Sequence, residues 1–135
     1  LSCYWSFYNC ASVCNFAFIP RSITTSSELV ELVKGITGWE TSLWELMKAG
    51  ERAINMARSF NVREGFSRKD DALPERFFQP LEGEGPLKGF HLDRKAFEDA
   101  LDLYYGMMNW DPQKAKPTRA KLIELDIDWV WEHIR

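Results

Sequence analysis

Residues 37–65, "TGWETSLWELMKAGERAINMARSFNVREG", decide the fold class. Trp39, Leu43, Leu46, Met47, Ala53, Ile54, Ala57 and Phe60 recur at intervals of three and four, which places them on one face of a helix. Thr37 and Glu40 stand at capping-box spacing ahead of that face, and Gly65 stands behind it as a stop. The pattern predicts a helix from about Gly38 to Glu64. Gly50 lies inside it, where glycine costs roughly 1 kcal/mol relative to alanine. Its presence predicts a neighbour packed close against the backbone.

Working outward, a second capping box at Thr25 and Glu28 precedes Leu29, Val30, Leu32, Val33 and Ile36, a shorter helix that Gly35 is expected to close. On the other side, residues 65–92 carry Gly65, Pro74, Pro80, Gly83, Gly85, Pro86 and Gly89, which leave little room for a regular element. The same stretch carries Phe66, Leu73, Phe77, Phe78, Leu81 and Leu87, too much apolar surface for a disordered linker. An ordered loop lying across the helices is therefore predicted. Arg63, Arg68 or Arg76 should be tied there to Asp70, Asp71 or neighbouring acids. Asp93 then caps a helix through Phe97, Leu101, Tyr104 and Met108, and Thr118 caps another through Leu122 and Leu125. A last segment carries Trp129, Val130 and Ile134. No stretch alternates convincingly with a period of two. The fold class is all-α: an irregular helical domain with a long ordered loop over about 65–92.

A length of 135 residues suits one domain with a real core. The net charge of −3 gives no electrostatic reason to expect nucleic acid or an anionic membrane as partner. No apolar run reaches membrane-spanning length, and the amino end lacks the basic region and apolar run of a signal peptide. Six tryptophans and nine phenylalanines predict a large interior or interface. The chain opens on Leu1 within an apolar run, as a piece of a longer protein would. Three cysteines, an odd number, argue for reduced thiols in the cytoplasm.

Those cysteines fall in "FYNCASVCNFAF", residues 7–18, and at Cys3, giving the spacing C-x6-C-x3-C. This is neither the paired spacing of a zinc site nor the full run of a ferredoxin. Spacing alone favours buried free thiols, although a cluster ligand contributed singly, with its companions elsewhere, would look the same. His91 and His133 stand far apart without ligand partners at useful spacing. The adjacent Asp70 and Asp71 suit a cation or acid–base work. Alternating charge favours Arg–carboxylate pairs instead. No phosphate loop, zinc-protease motif or nucleophile elbow is present.

Read as a whole, the pieces "TGWE", "GER-x-x-N", "R-x-FN-x-REG" and "R-x-DD-x-LP-x-R", followed in order by "LKGF", "LDLYYGMMNWD" and "KPTRAKLIEL", resemble the carboxy-terminal region of the tungsten-containing aldehyde ferredoxin oxidoreductase family. The resemblance covers essentially the whole chain, residues 1–135. It implies the C-terminal helical domain of a larger multidomain enzyme, with residues 1–20 as a loop on the cluster and pterin side. In that family a tungsten (or molybdenum) bis-pterin and a [4Fe–4S] cluster are bound mainly by upstream domains. The family's second pterin loop reads D-x-x-G-L-C, and its cysteine is the fourth cluster ligand.

"NCASVC" matches that loop with Asn9 for the aspartate, Ser12 for the glycine, Val13 for the leucine and Cys14 for the ligand cysteine. The resemblance thus implies Cys14 as metal ligand and Asn9 and Val13 as pterin contacts, with Trp5, Phe7, Phe16 and Phe18 shielding the cluster. Cys3 and Cys10 are left as structural thiols. Asn9 keeps hydrogen-bonding capacity without the aspartate's charge, and Ser12 gives up glycine's conformational freedom. No catalytic residue is assigned, because the family's acid–base groups lie upstream. The implied activity is oxidation of aldehydes to carboxylic acids with electrons passed to ferredoxin or another electron-transfer protein. The helices would form one wall of the substrate cavity, and this segment alone would be inactive. Upstream domains are the implied partners, and a homo-oligomer is compatible with the pattern. Two rivals remain open: a benzoyl-CoA reductase-type enzyme of the same superfamily, and a non-catalytic helical scaffold without cofactors.

Overall fold

A computed structural model of the chain describes residues 1–14, 16 and 25–135. Five α-helices run in order: α1 Ser2–Cys10, α2 Ser26–Thr37, α3 Leu43–Arg63, α4 Arg94–Met108 and α5 Arg119–Glu124. Short 3-10 turns at Arg68–Asp70, Glu75–Phe78 and Asp128–His133 fill the connections. Among the described residues the β pairing is limited to one isolated bridge, Trp110 with Pro117. The all-α expectation therefore holds.

Helix ends follow side-chain chemistry. The Thr25 hydroxyl accepts from the Glu28 N–H while the Glu28 carboxylate accepts from the Thr25 N–H, which completes the predicted box of α2. Asp93 and Thr118 cap α4 and α5 as expected. The central helix departs from the prediction at its start. Its box is Ser42 with Glu45, not Thr37 with Glu40. Thr37 belongs to the last turn of α2, where its hydroxyl donates to the Val33 carbonyl. Gly38, not Gly35, closes α2 in the left-handed conformation at φ +70°. Gly65 does end α3, and the Gly65 and Phe66 N–H groups bond back to Val62 and Asn61 in a Schellman turn.

Helix α3 is the axis. Leu46, Ile54 and Val62, spaced eight residues apart and so stepping about 80° round the helix each time, feed three separate apolar clusters. Leu46 joins Phe7, Tyr8 and Leu29 of α1 and α2. Ile54 packs on Tyr105, Met108, Trp110 and Ala115. Val62 packs on Leu122, Leu125, Ile127, Val130 and Ile134. The predicted close approach at Gly50 is real: a Cβ there would lie 2.0 Å from the Cys3 carbonyl oxygen and 2.7 Å from the Phe7 nitrogen. Glycine lets α1 lie directly on the backbone of α3.

The buried face of α3 is not the apolar face expected. It comprises Leu46, which was expected, with Gly50, Glu51, Asn55, Arg58 and Ser59, whereas Trp39 and Phe60 of the expected face are exposed. Residues 65–92 are structured as predicted, through the two 3-10 turns and backbone bonds such as Leu92 N–H to the Phe77 carbonyl.

Candidate functional site

The segment expected to be loop over residues 1–20 is helical in its first half. Leu1 offers no side-chain cap to α1, and its aromatic residues give no clean helical stripe, so tertiary contact with α3 builds this helix. It ends in a tight turn. The Ser12 N–H bonds to the Asn9 carbonyl at 3.2 Å and the Val13 N–H to the Tyr8 carbonyl at 3.0 Å, with Ser12 at φ +55°. This is a Schellman closure with serine in the place that favours glycine.

The turn sorts its side chains. Val13 packs against the cluster of Phe7, Tyr8 and Leu29 and pins the chain. Asn9, Cys10, Ser12 and Cys14 are exposed, while Cys3, in the first turn of α1, is half-buried. Burial pushes the Cys3 thiol up, and the nearby Glu51 carboxylate adds to this. Asn9 and Cys14 thus sit outside on one short turn, and Val13 does not share their exposure. Of the aromatics expected around Cys14, Phe7 is buried in the α1 core and Trp5 packs its ring on Tyr4 and Tyr8. Phe16 is 87% exposed, and Phe18 lies outside the described residues.

Among the described residues no group of three or more His, Cys, Asp or Glu could hold a metal ion. Cys10 and Cys14 are both exposed at this turn, and either thiol fits one ligand of a cluster whose other ligands come from elsewhere; exposure does not choose between them. Neither can bind a cluster alone.

The remaining motif residues meet around α3 and serve structure. Glu51 accepts from Lys121 at 2.8 Å and Lys48 at 2.7 Å, and Glu124 pairs with both lysines. Burial opposes ionisation of Glu51, but its two lysines outweigh it and hold the carboxyl below its ordinary value. Burial likewise opposes the Lys121 charge, and Glu124 and Glu51 raise that amine regardless. Arg52 donates to the Leu125 carbonyl at 2.7 Å. Asn55 receives the Trp110 indole N–H at 2.8 Å and donates to the Glu51 carbonyl.

Arg58, almost wholly buried, forks onto Asp71 at 2.8 and 2.7 Å, donates to the Ala115 carbonyl at 2.6 Å and stacks on Trp110. The Tyr105 hydroxyl donates to Asp71 as well, and burial raises its pKa further. Asp70 accepts from the Ser67 N–H and so caps a turn. Asp71 therefore ties the loop down by an Arg–carboxylate fork, the kind of pairing expected, whereas Asp70 caps its own turn and, among the described residues, none of the arginines expected there meets either aspartate. Arg58 was not among the arginines named. Arg68 binds Glu98 and Asp102 of α4, and Arg63 binds its neighbour Glu64.

Comparison with known proteins identifies the family of the chain. The family model described as "Aldehyde ferredoxin oxidoreductase, domains 2 & 3" matches residues 2–127. The tungsten-containing aldehyde ferredoxin oxidoreductase of Pyrococcus furiosus is 35% identical over 98 residues, 72% of this chain and 16% of the relative. Its counterpart in Thermococcus kodakarensis is 36% identical over the same shares. A third relative, the "Aliphatic sulfonate oxidoreductase, WOR-like subunit" of Pyrococcus furiosus, is 30% identical over 129 residues, 90% of this chain and 20% of the relative. The chain spans about one-sixth to one-fifth of these relatives.

Proposed function

Because the chain belongs to the aldehyde ferredoxin oxidoreductase family, we propose that it forms the C-terminal helical domain of a tungsten- or molybdenum-pterin, iron–sulfur enzyme that oxidises aldehydes to carboxylic acids and passes the electrons to ferredoxin. The observation that carries this reading is the exposed Cys14 on a turn fixed by the Ser12 and Val13 backbone bonds. When bound, the pterin metal supplies substrate oxidation and the [4Fe–4S] cluster a one-electron relay. Cys14 holds one iron through its thiolate. Asn9, exposed on the same turn, presents an amide to the pterin ring. Val13 contributes by anchoring the turn in the core. Phe16 is free to cover the cluster against water, which bears on its potential. The remaining domains of the protein cover the exposed faces around Trp44 and Phe60 and complete the site.

The test is the iron content of the full-length protein, purified without oxygen, with Cys14 intact and as Cys14→Ala. Loss of about one cluster's iron is expected, with Cys10→Ala as an unaffected control. Iron unchanged in Cys14→Ala overturns the assignment. A second reading, the same cofactors with a different substrate, draws on the 30% identity to an aliphatic sulfonate oxidoreductase subunit over 90% of the chain. The departures at Asn9 and Ser12 leave room for it. Aldehyde-dependent viologen reduction separates the two, since an iron-loaded enzyme inactive on every aldehyde favours the second.

A further inference from the structure

The loop between Arg76 and Leu92 folds into a concave site remote in sequence from the Cys14 turn. Its arms are joined by backbone bonds: Leu81 N–H to the Phe90 carbonyl at 3.0 Å and Gly89 N–H to the Leu81 carbonyl at 2.9 Å. Leu92 N–H reaches the Phe77 carbonyl at 2.9 Å, and Phe78 packs edge-on against Phe97 of α4. Gly83, Gly85 and Gly89 take φ of +105°, +127° and +77°, so the bend is one that other residues would strain to make. The concavity is built into the fold and not left by a loose chain. It has room for about 510 Å³ of contents, within the range of small-molecule sites.

Phe77, Leu81, Leu87 and Phe90 line it, and each is between 42% and 61% exposed. The polar groups lining it are Arg76, Gln79 and His91. No carboxylate lines it. The nearby acids are engaged elsewhere or stand outside: Glu75 binds Arg94, Glu84 binds Lys88, and Glu82 does not line the hollow. Among the described residues Arg76 has no acidic partner, and its guanidinium rests over the Phe77 ring at 5.5 Å. An unneutralised guanidinium beside an apolar hollow is suited to a ligand that brings the missing negative charge.

We propose that this hollow binds a small amphipathic anion, an apolar body with a carboxylate-type head: the body rests on Phe77, Leu87 and Phe90, and the head on Arg76 with Gln79 or His91 as second donor. This site is separate from the cofactor reading and stands or falls independently of it.

The test titrates octanoate, octylamine and octanol into the protein and follows backbone amide shifts by NMR. Saturable shifts confined to residues 76–92 with octanoate are expected, with octylamine at least tenfold weaker. Arg76→Gln should weaken octanoate about tenfold and leave octanol unchanged, and Leu87→Ser should weaken both. Equal affinity for octanoate and octylamine, or an Arg76→Gln variant that binds octanoate as before, overturns the proposal. So does the absence of saturable binding in a protein whose amide spectrum shows it folded.

Discussion

Helix α3 and the Cys14 turn carry equally recognisable stretches of sequence and are built in opposite ways. On α3 the motif residues point inward and are consumed by structure: Gly50 admits α1, Glu51 binds two lysines, and Arg58 makes three separate attachments. On the turn the backbone carries the structure, and Asn9 and Cys14 are left outside with their chemistry unspent. Residues that identify this domain are thus spent on its structure and are not free for chemistry. The buried polar frame of this chain reads as chemistry in the sequence while serving as scaffold in the fold.

The comparison predicts that substitutions on α3 act on folding and those on the turn do not. The largest effect belongs to Arg58→Ala. It strips Asp71 of its fork, the Ala115 carbonyl of its donor and Trp110 of its stacking partner. Removing one member of a buried pair costs roughly 3–5 kcal/mol, and urea unfolding should show a loss of that order. A loss under about 1 kcal/mol would break the claim that this frame holds the loop.

The Glu51 cluster comes next and has a signature in pH. Glu51 and Glu124 are held below the ordinary carboxylate value by Lys121 and Lys48. A depressed acid contributes stability above its unfolded value and loses it as pH falls through the folded one. Lys48 and Lys121 are raised, burial being outweighed by their carboxylates, so their contribution is complete below 10.5 and fades as pH rises beyond it. Stability should therefore be level through neutrality and decline below about 4.5. Glu51→Gln should cost roughly 2–3 kcal/mol at pH 7, less than a fully stranded pair because Lys121 keeps Glu124. It should also flatten the acid decline, which an uncoupled surface acid would leave untouched.

Gly50→Ala follows, at roughly 1–3 kcal/mol, because overpacking must push α1 off α3. Gly35→Ala is its control: nothing lies within 4 Å of a Cβ there, and helix propensity alone should give a gain of about 1 kcal/mol. If both alanines behaved alike, the close approach of α1 would be refuted.

Much of this frame was legible in the sequence, and the failures have causes. Gly50 stood out because a glycine inside a long helical pattern needs a reason. Thr25, Asp93 and Thr118 were legible because each lies directly ahead of an apolar stripe. Thr37 and Ser42 both start a box-like spacing, and spacing alone cannot choose between them. Gly38 chooses, since its left-handed turn commits Thr37 to the preceding helix. The polar buried face of α3 was hidden because its partners, Lys121, Trp110 and Asp71, are distant in sequence. Helix α1 was hidden for the same reason: its stability comes from α3, not from caps or periodicity. Of the site itself, the cysteine spacing read alone said nothing. Only the family resemblance marked Cys14, and it could not foretell that Val13 faces the core.

The smallest effect lies on the turn. Ser12 stands at φ +55°, where a residue with a Cβ loses roughly 1–2 kcal/mol relative to its relaxed conformations and glycine does not. Ser12→Gly removes that strain but admits a more flexible unfolded chain. The net should be a gain of about 0.5–1 kcal/mol, seen as a melting midpoint a few degrees higher. Ser12 is exposed and its side chain takes no part in closing the turn, since both bonds of the turn are backbone bonds. Iron content of the full-length enzyme should therefore be the same with either residue. A loss of stability in Ser12→Gly would mean that the serine side chain, not the backbone, holds the turn, and the contrast with α3 would collapse. A gain in stability accompanied by loss of iron would be more instructive still, because it would give the serine hydroxyl a part in retaining iron that the backbone geometry does not.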